Sequence, residues 1–368
     1  MNRSYLQIQS LNLKLGGFSL KNIDLSCEKG EYHVLLGPTG SGKSSLMKCV
    51  LGFYRLNGGT VLLDGRDLSN DLPEYRNMGY VPQNYSLFPH LDVEKNIRFG
   101  LRARKNGSKR DNSVVDKLCD TLNIQHLRKR RVRYLSGGER QKVALARALA
   151  IQPDILLFDE PFSSIDEGAK RNLWMELKEI INEVGITAFH ITHNLEEAYT
   201  MGERLSVLIR GELLQSGTKK EIFDRPVTES IARYLNYRNI YEGITQKDPE
   251  GVKIDLGHFS LHAMEDIPDN KKIKLCVRQQ DIKIIKGDSP VKDSLERNLF
   301  SGEIVSLFPL PEYCLMNFRI DGSPKRFDFE LKFPRYIIER HNLYQGKKIR
   351  VAVWEPNIIL FKDEEKQK

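Results

Sequence analysis

The 368-residue sequence predicts an α/β domain with an inserted helical subdomain, followed by an all-β domain. Three observations carry that prediction. A glycine-rich stretch stands between an apolar strand and a helical segment near residue 40. A continuous apolar run, Ile155–Leu156–Leu157–Phe158, ends in two carboxylates. Past Arg225–Pro226 the α/β pattern gives way to strand-like alternation that contains an internal repeat.

The glycine-rich stretch is Gly37–Pro38–Thr39–Gly40–Ser41–Gly42–Lys43–Ser44, which fits the G-x-x-x-x-G-K-[ST] phosphate loop. Its context agrees: Tyr32–His33–Val34–Leu35–Leu36 reads as a strand entering the loop, and Ser45–Leu46–Met47–Lys48–Cys49–Val50–Leu51 as a helix leaving it. Glycines let such a loop fold back until successive N–H groups point inward at phosphate oxygens. Lys43 is then placed to contact the β- and γ-phosphates, and the Ser44 hydroxyl to ligate Mg²⁺. The loop marks a nucleotide-binding domain.

The apolar run bounded by Pro153 reads as a buried parallel strand. Open α/β sheets place ligands at the carboxyl ends of their strands, which is where Asp159 and Glu160 fall. Asp159 suits a Mg²⁺ contact, and Glu160 can polarise an attacking water. Between loop and strand lies Leu135–Ser136–Gly137–Gly138–Glu139–Arg140–Gln141. Ser136 followed by Glu139 is a capping box that starts a helix, and Gly137 and Gly138 leave its first N–H groups bare for a phosphate. One nucleotide does not need two cradles. Either this is an ordinary capped helix, or it serves a nucleotide held mainly by another copy of the chain.

The order of these motifs, with Val81–Pro82–Gln83, Ser163–Ser164–Ile165–Asp166 and Thr192–His193 between and after them, resembles an ATP-binding-cassette (ABC) transporter ATPase over roughly residues 3–235. The resemblance implies ATP and Mg²⁺ as cofactors, with Ser44, Gln83 and Asp159 at the metal. By that match Gln83 is the switch glutamine that senses Mg²⁺ and the γ-phosphate. Asp166 is the loop aspartate that crosses a dimer interface, and His193 is the switch histidine beside the attacking water. Catalysis would then rest on Glu160, His193 and Gln83, and Ser136–Gly138 of a second copy would complete the site in a head-to-tail dimer. His190, on the other side of its strand, reads as a packing residue. Where the family stacks an aromatic ring on adenine, this chain aligns Leu15, with Phe18 nearby.

Composition fits a peripheral machine part. Hydrophobic residues make up 40% of the chain, enough for real cores, and no apolar stretch approaches the length of about 20 residues that crosses a bilayer. No secretory signal opens the sequence. Five scattered cysteines without a C-x-x-C pair point to a reducing compartment and no structural zinc. The net charge of +8 is modest; the clusters Arg102–Arg104–Lys105, Lys109–Arg110 and Arg128–Lys129–Arg130–Arg131 form solvated faces or meet anionic lipid or an acidic partner. Residues of about 84–150 make the inserted helical subdomain. Its apolar cluster Tyr85, Leu87, Phe88, Pro89, His90 and Leu91 either receives a short helix of a membrane subunit or belongs to the core.

The second domain spans 236–368. Asn239–Ile240–Tyr241–Glu242–Gly243 echoes Asn298–Leu299–Phe300–Ser301–Gly302, and the segment from Lys271 to Ile282 echoes that from Lys347 to Ile358. Two small β-barrels of similar build are expected, and five-strand barrels of this size are often OB-type. They lack the aromatic-rich, basic faces of single-strand binders, so nucleic acid is not an expected partner. This tail resembles the paired OB-like TOBE regulatory region of importer ATPases. Its spacing is closest to molybdate or tungstate importers, whose barrels can bind the transported oxyanion and lock the ATPase. Phe333–Pro334–Arg335–Tyr336 departs from that subgroup's run of small and basic residues. The resemblance implies an ATPase at the cytoplasmic face of the plasma membrane. It would be held by integral membrane permease subunits, with an extracytoplasmic substrate-binding protein as an indirect partner. Sulfate, iron, sugar or polyamine import, and a soluble regulatory ABC ATPase, stand as alternatives.

Overall fold

The structure, a computed structural model, describes residues 4–103, 109–286, 291 and 293–361. It divides into two units, with the division between Phe223 and Asp224. Arg104 and Lys105, and the side chains of Arg102, Lys109 and Arg110, lie outside the described residues.

In the first unit β1 (Leu6–Leu15) and β2 (Phe18–Cys27) form a hairpin, and β3 (Tyr32–Leu36) leads through the glycine-rich loop into α1 (Lys43–Val50). The chain returns through β4 (Gly58–Leu63) and β5 (Arg66–Asp67) to β6 (Met78–Val81). The helical segment holds α2 (Val93–Ala103), α3 (Lys109–Thr121) and α4 (Gly137–Ala150). Then follow β7 (Ile155–Asp159), α5 (Glu167–Val184), β8 (Thr187–Thr192), α6 (Leu195–Met201), β9 (Arg204–Ile209), β10 (Glu212–Thr218) and α7 (Lys219–Asp224).

These strands make two sheets. A four-stranded sheet runs β2-β1-β4-β5, and a six-stranded sheet runs β10-β9-β3-β8-β7-β6. In the second, β9, β3, β8, β7 and β6 are parallel and only the edge strand β10 is antiparallel. β3, β7 and β8 are buried at every position, as strands covered on both faces must be. β8 lies between β3 and β7, so the turns leaving these three strands converge at one edge. α5 packs with Trp174, Leu177, Ile180 and Ile181, which recur at helical spacing, and stops at Gly185 with φ +69°.

The helical segment is pinned by one acid. Glu94 accepts from Arg98 at 3.0 Å, Arg128 at 2.9 Å and Lys129 at 2.8 Å. Arg128 also reaches Asp116. Of the basic run at 128–131, Arg128 and Lys129 are thus engaged with Glu94, Arg128 partly buried and Lys129 on the surface. Those bonds, Lys129 first, pull the Glu94 carboxyl down to about 2.

Among its described residues the second unit holds ten strands. The first half supplies β11 (Asn239–Asp248), β12 (Gly251–Asp255), β13 (Ser260–Ala263), β14 (Lys272–Val277) and β15 (Ile282–Ile285). The second supplies β16 (Leu299–Pro309), β17 (Tyr313–Ile320), β18 (Phe329–Pro334), β19 (Lys348–Val353) and β20 (Ile358–Leu360). The repeat is real, but its two copies are not separate barrels. The five-stranded sheets run β13-β12-β11-β14-β20 and β18-β17-β16-β19-β15, so each half closes with the last strand of the other. The repeated asparagines add a reciprocal clamp. Asn239 donates to the Glu330 carbonyl (2.8 Å) and accepts its N–H (2.7 Å), while Asn298 does the same with His262 (2.8 Å each). One apolar cluster, from Val252 and Leu275 to Phe318 and Val353, fills both halves.

Candidate nucleotide site

The loop after β3 is built for close approach. Gly40 and Gly42 have φ of +82° and +105°, a region that side chains with a Cβ avoid. A Cβ on Gly42 would stand 2.4 Å from Phe18 Cζ, and one on Gly37 would stand 2.1 Å from the Leu208 carbonyl oxygen. Phe18 thus lies against the floor of the loop. Lys43 is 5% exposed; its Nζ donates to the carbonyls of Gly37 (2.8 Å) and Pro38 (3.0 Å), which holds the amine at the loop's mouth. Burial lowers its pKa, against the opposing charges of Glu160 and Asp159. The N–H of Ser41 donates to the Pro38 carbonyl, and its buried hydroxyl has no partner among the described residues. Thr39 and Pro38 complete the turn.

Two further strand ends meet this loop. Ser44 Oγ donates to Asp159 Oδ1 at 3.1 Å, and the Tyr80 hydroxyl donates to Asp159 Oδ2 at 3.3 Å. Burial raises the Asp159 pKa, with the Glu160 charge adding to it and both hydroxyl bonds opposing. A hydroxyl and a carboxylate side by side are the hard oxygen donors that Mg²⁺ prefers. Glu160 follows with φ +46°, a strained conformation for a residue with a Cβ. Its N–H donates to the Ile191 carbonyl at 3.0 Å, which ties the end of β7 to β8. His193, just past β8, brings Nδ1 to 3.0 Å from Glu160 Oε1. Lys43, Ser44, Asp159, Glu160 and His193 are therefore brought together at one sheet edge.

The other candidate residues stand on other elements. Gln83 is exposed just beyond β6. Asp166 is exposed at the start of α5, where its side chain makes no capping bond. Ser136 caps α4 as its sequence predicts: its Oγ accepts the Glu139 N–H (3.3 Å), and Glu139 Oε2 accepts the Ser136 N–H (2.6 Å). Gly137 lies near the Ser164 carbonyl, so a Cβ there would meet it at 3.4 Å. This glycine pair and the loop leading to Asp166 share one surface.

Sequence reasoning missed Tyr80 and Arg147. Arg147, on α4, donates to the carbonyls of Tyr85 (2.8 Å) and Ser86 (2.6 Å), which follow Gln83 with φ of +62° and +42°. The Tyr85 hydroxyl donates to the Pro161 carbonyl at 3.1 Å. Tyr85 is core, whereas Phe88 is half-buried with Arg147 over its ring, and Phe99 is 48% exposed beside it. His190 is packed as expected, among Phe158 and Phe162, but also touches Tyr32 and Glu197. Among the described residues, Cys27, Glu31 and His33 form a close buried group of metal-type donors, but both His33 nitrogens are taken by Glu31 and Ser206. All five cysteines are buried and free.

The family described as ABC transporter matches residues 20–163. The molybdate/tungstate import ATP-binding protein WtpC of Pyrococcus abyssi is 38% identical over 320 residues, covering 86% of this chain and 90% of its own length. The chain belongs to the ABC transporter family. The molybdate/tungstate import ATP-binding protein WtpC of Methanocaldococcus jannaschii is 43% identical over 82% of this chain and 97% of its own length. The spermidine/putrescine import ATP-binding protein PotA of Acetivibrio thermocellus is 36% identical over 77% and 80%. An ATP-binding cassette solved in its ADP conformation covers 63% of this chain and 99% of its own, with a TM-score of 0.55 and 24% identity, which is a likeness of fold. This ABC protein is an ATPase that binds ATP. No helix among its described residues is long and apolar enough to cross a membrane.

Proposed function

We propose that this chain is the ATP-hydrolysing subunit of an importer for an oxyanion such as molybdate or tungstate. Its place would be the cytoplasmic face of the plasma membrane, held by integral permease subunits that receive substrate from an extracytoplasmic binding protein. The observation that carries the catalytic part is the meeting of Ser44, Asp159, Glu160 and His193 at one sheet edge. The likeness to molybdate/tungstate relatives over most of both chains supports the substrate. The polyamine relatives make spermidine or putrescine import the second reading.

ATP would lie along the loop from Gly37 to Ser44, with Lys43 turning from the loop carbonyls to the phosphates. Mg²⁺, held by Ser44, Asp159 and Gln83, would supply charge neutralisation at the phosphates. Glu160 is placed to accept a proton from a water, and His193, 3.0 Å away, to orient both. Ser136, Gly137, Gly138 and Asp166 would face the nucleotide of a second copy. Phe88 and Phe99 would receive the permease.

A basic bowl of about 560 Å³ in the second unit supports a regulatory oxyanion. It is lined by Lys286, Arg340, His341, Lys347, Lys348 and Arg350, with Asp321 as its acid.

The test is ATP-driven dimerisation of the full chain. Glu160→Gln should bind ATP and accumulate as a dimer without turnover; Ser136→Arg should bind ATP and remain monomeric. Rapid hydrolysis by Glu160→Gln would overturn the base assignment. Co-purification with a permease, and loss of tungstate rather than polyamine uptake on deletion, would decide the substrate.

A further inference from the structure

The turn that presents His193 is fastened at both feet by a buried polar pair. Three residues before it, His190 on β8 is fully buried; four residues after it, Glu197 on α6 is 4% exposed. His190 Nε2 lies 2.7 Å from Glu197 Oε1, a close polar contact, outside hydrogen-bond alignment, that joins strand to helix across the turn. On the other side, His190 Nδ1 is 3.0 Å from the hydroxyl of Tyr32, 1% exposed, on the strand that enters the phosphate loop. Phe158 and Phe162, which flank Asp159 and Glu160, wall the ring at 5.9 and 6.0 Å. Within the turn, the Asn194 N–H donates to Thr192 Oγ1 (3.1 Å) and the Glu197 N–H to Asn194 Oδ1 (2.9 Å).

Packing alone does not call for this set. A buried carboxylate costs free energy unless it is paired, and an apolar residue at 190 or 197 would fill the same volume without that cost. A polar contact across a turn restrains its two feet, and therefore the direction of what lies at its apex. We propose that His190 and Glu197, backed by Tyr32, are positioning residues that hold His193 against Glu160. The proposal rests on the reading of His193 given above. The phosphate loop does not depend on the pair, so ATP binding should survive its loss while the catalytic geometry loosens; small misplacements in such sites cost large factors in rate.

The experiment is a double-mutant cycle on the full chain, reading kcat, KM and ATP affinity for Glu197→Ala, His193→Ala and both together. Glu197→Ala is expected to lower kcat on the order of tenfold with KM and ATP affinity within about twofold of the parent. On the His193→Ala background the same substitution should change kcat by less than about twofold, because it acts only through His193. His190→Phe, which fills the aromatic pocket without the polar contacts, provides the same comparison should Glu197→Ala fold poorly. A full additional loss in the double variant, or a loss of ATP affinity as large as that of kcat, would show a general structural role and overturn the proposal. Undiminished turnover in Glu197→Ala and His190→Phe would overturn it while leaving His193 intact. Undiminished turnover in His193→Ala would instead retire the reading of His193, and the clamp with it.

Discussion

Arg147 holds Tyr85 and Ser86 by their carbonyls, so the helix that begins at Ser136 grips the turn that follows Gln83. Both held residues have positive φ and pay for it in backbone strain. Arg147→Ala should free that turn, lowering stability by about 2 kcal/mol for two charge-assisted bonds, one of them exposed. Thermal melting of the nucleotide-free chain checks the figure. ATP affinity, which depends on the phosphate loop, should stay unchanged.

Phe18 touches the loop at Gly42. If its contribution is support, Phe18→Ala should weaken binding of inorganic triphosphate as much as binding of ATP. A loss confined to ATP would assign the ring to adenine stacking instead. Titration calorimetry with both ligands separates the two, and equal weakening is the expected result.

Glu94 is an acid whose folded pKa is depressed, from 4.5 to about 2. Its stabilisation is therefore fully present above the unfolded value and is lost as pH falls from about 4.5 toward 2. Glu94→Gln should melt lower than the parent at neutral pH, by about 1–3 kcal/mol. The two melting curves should converge across that acid window, and a gap that persists at its lower end would assign the loss to packing.

Asn298→Ala and Asn239→Ala should each cost about 1–3 kcal/mol, since each leaves a partly buried N–H and carbonyl on the opposite half without its side-chain partner. Hydrogen exchange should report the damage on both halves of the second unit in either variant.

What the sequence made legible was local. The strand–loop–helix at 32–50, the buried run ending in Asp159 and the capping box at Ser136 each depend on neighbours a few residues away, and these elements form where the local pattern puts them. The repeat was visible because its asparagines, glycines and apolar positions recur in step. Long-range pairings were not. Nothing near Tyr80 announces that its hydroxyl reaches the carboxylate that ends the next strand, 79 residues on, and nothing near Arg147 announces the carbonyls it grips. The left-handed backbone at Glu160 is set by its N–H bond to Ile191, a residue of another strand. His190 reads as packing because it lies on the other side of its strand from His193; its contact with Glu197 exists only once β8 and α6 fold back on each other.

The crossed closing strands of the second unit bear on how such a region is inherited. A half that ends in its neighbour's sheet is not a removable module: excising either one strips the remainder of its fifth strand and of the asparagine clamp. Gene duplication could create the pair, yet later loss of a single copy would leave an incomplete sheet with an open edge prone to sticking to other chains. Fusion or trimming of this region should therefore succeed only when the pair travels whole.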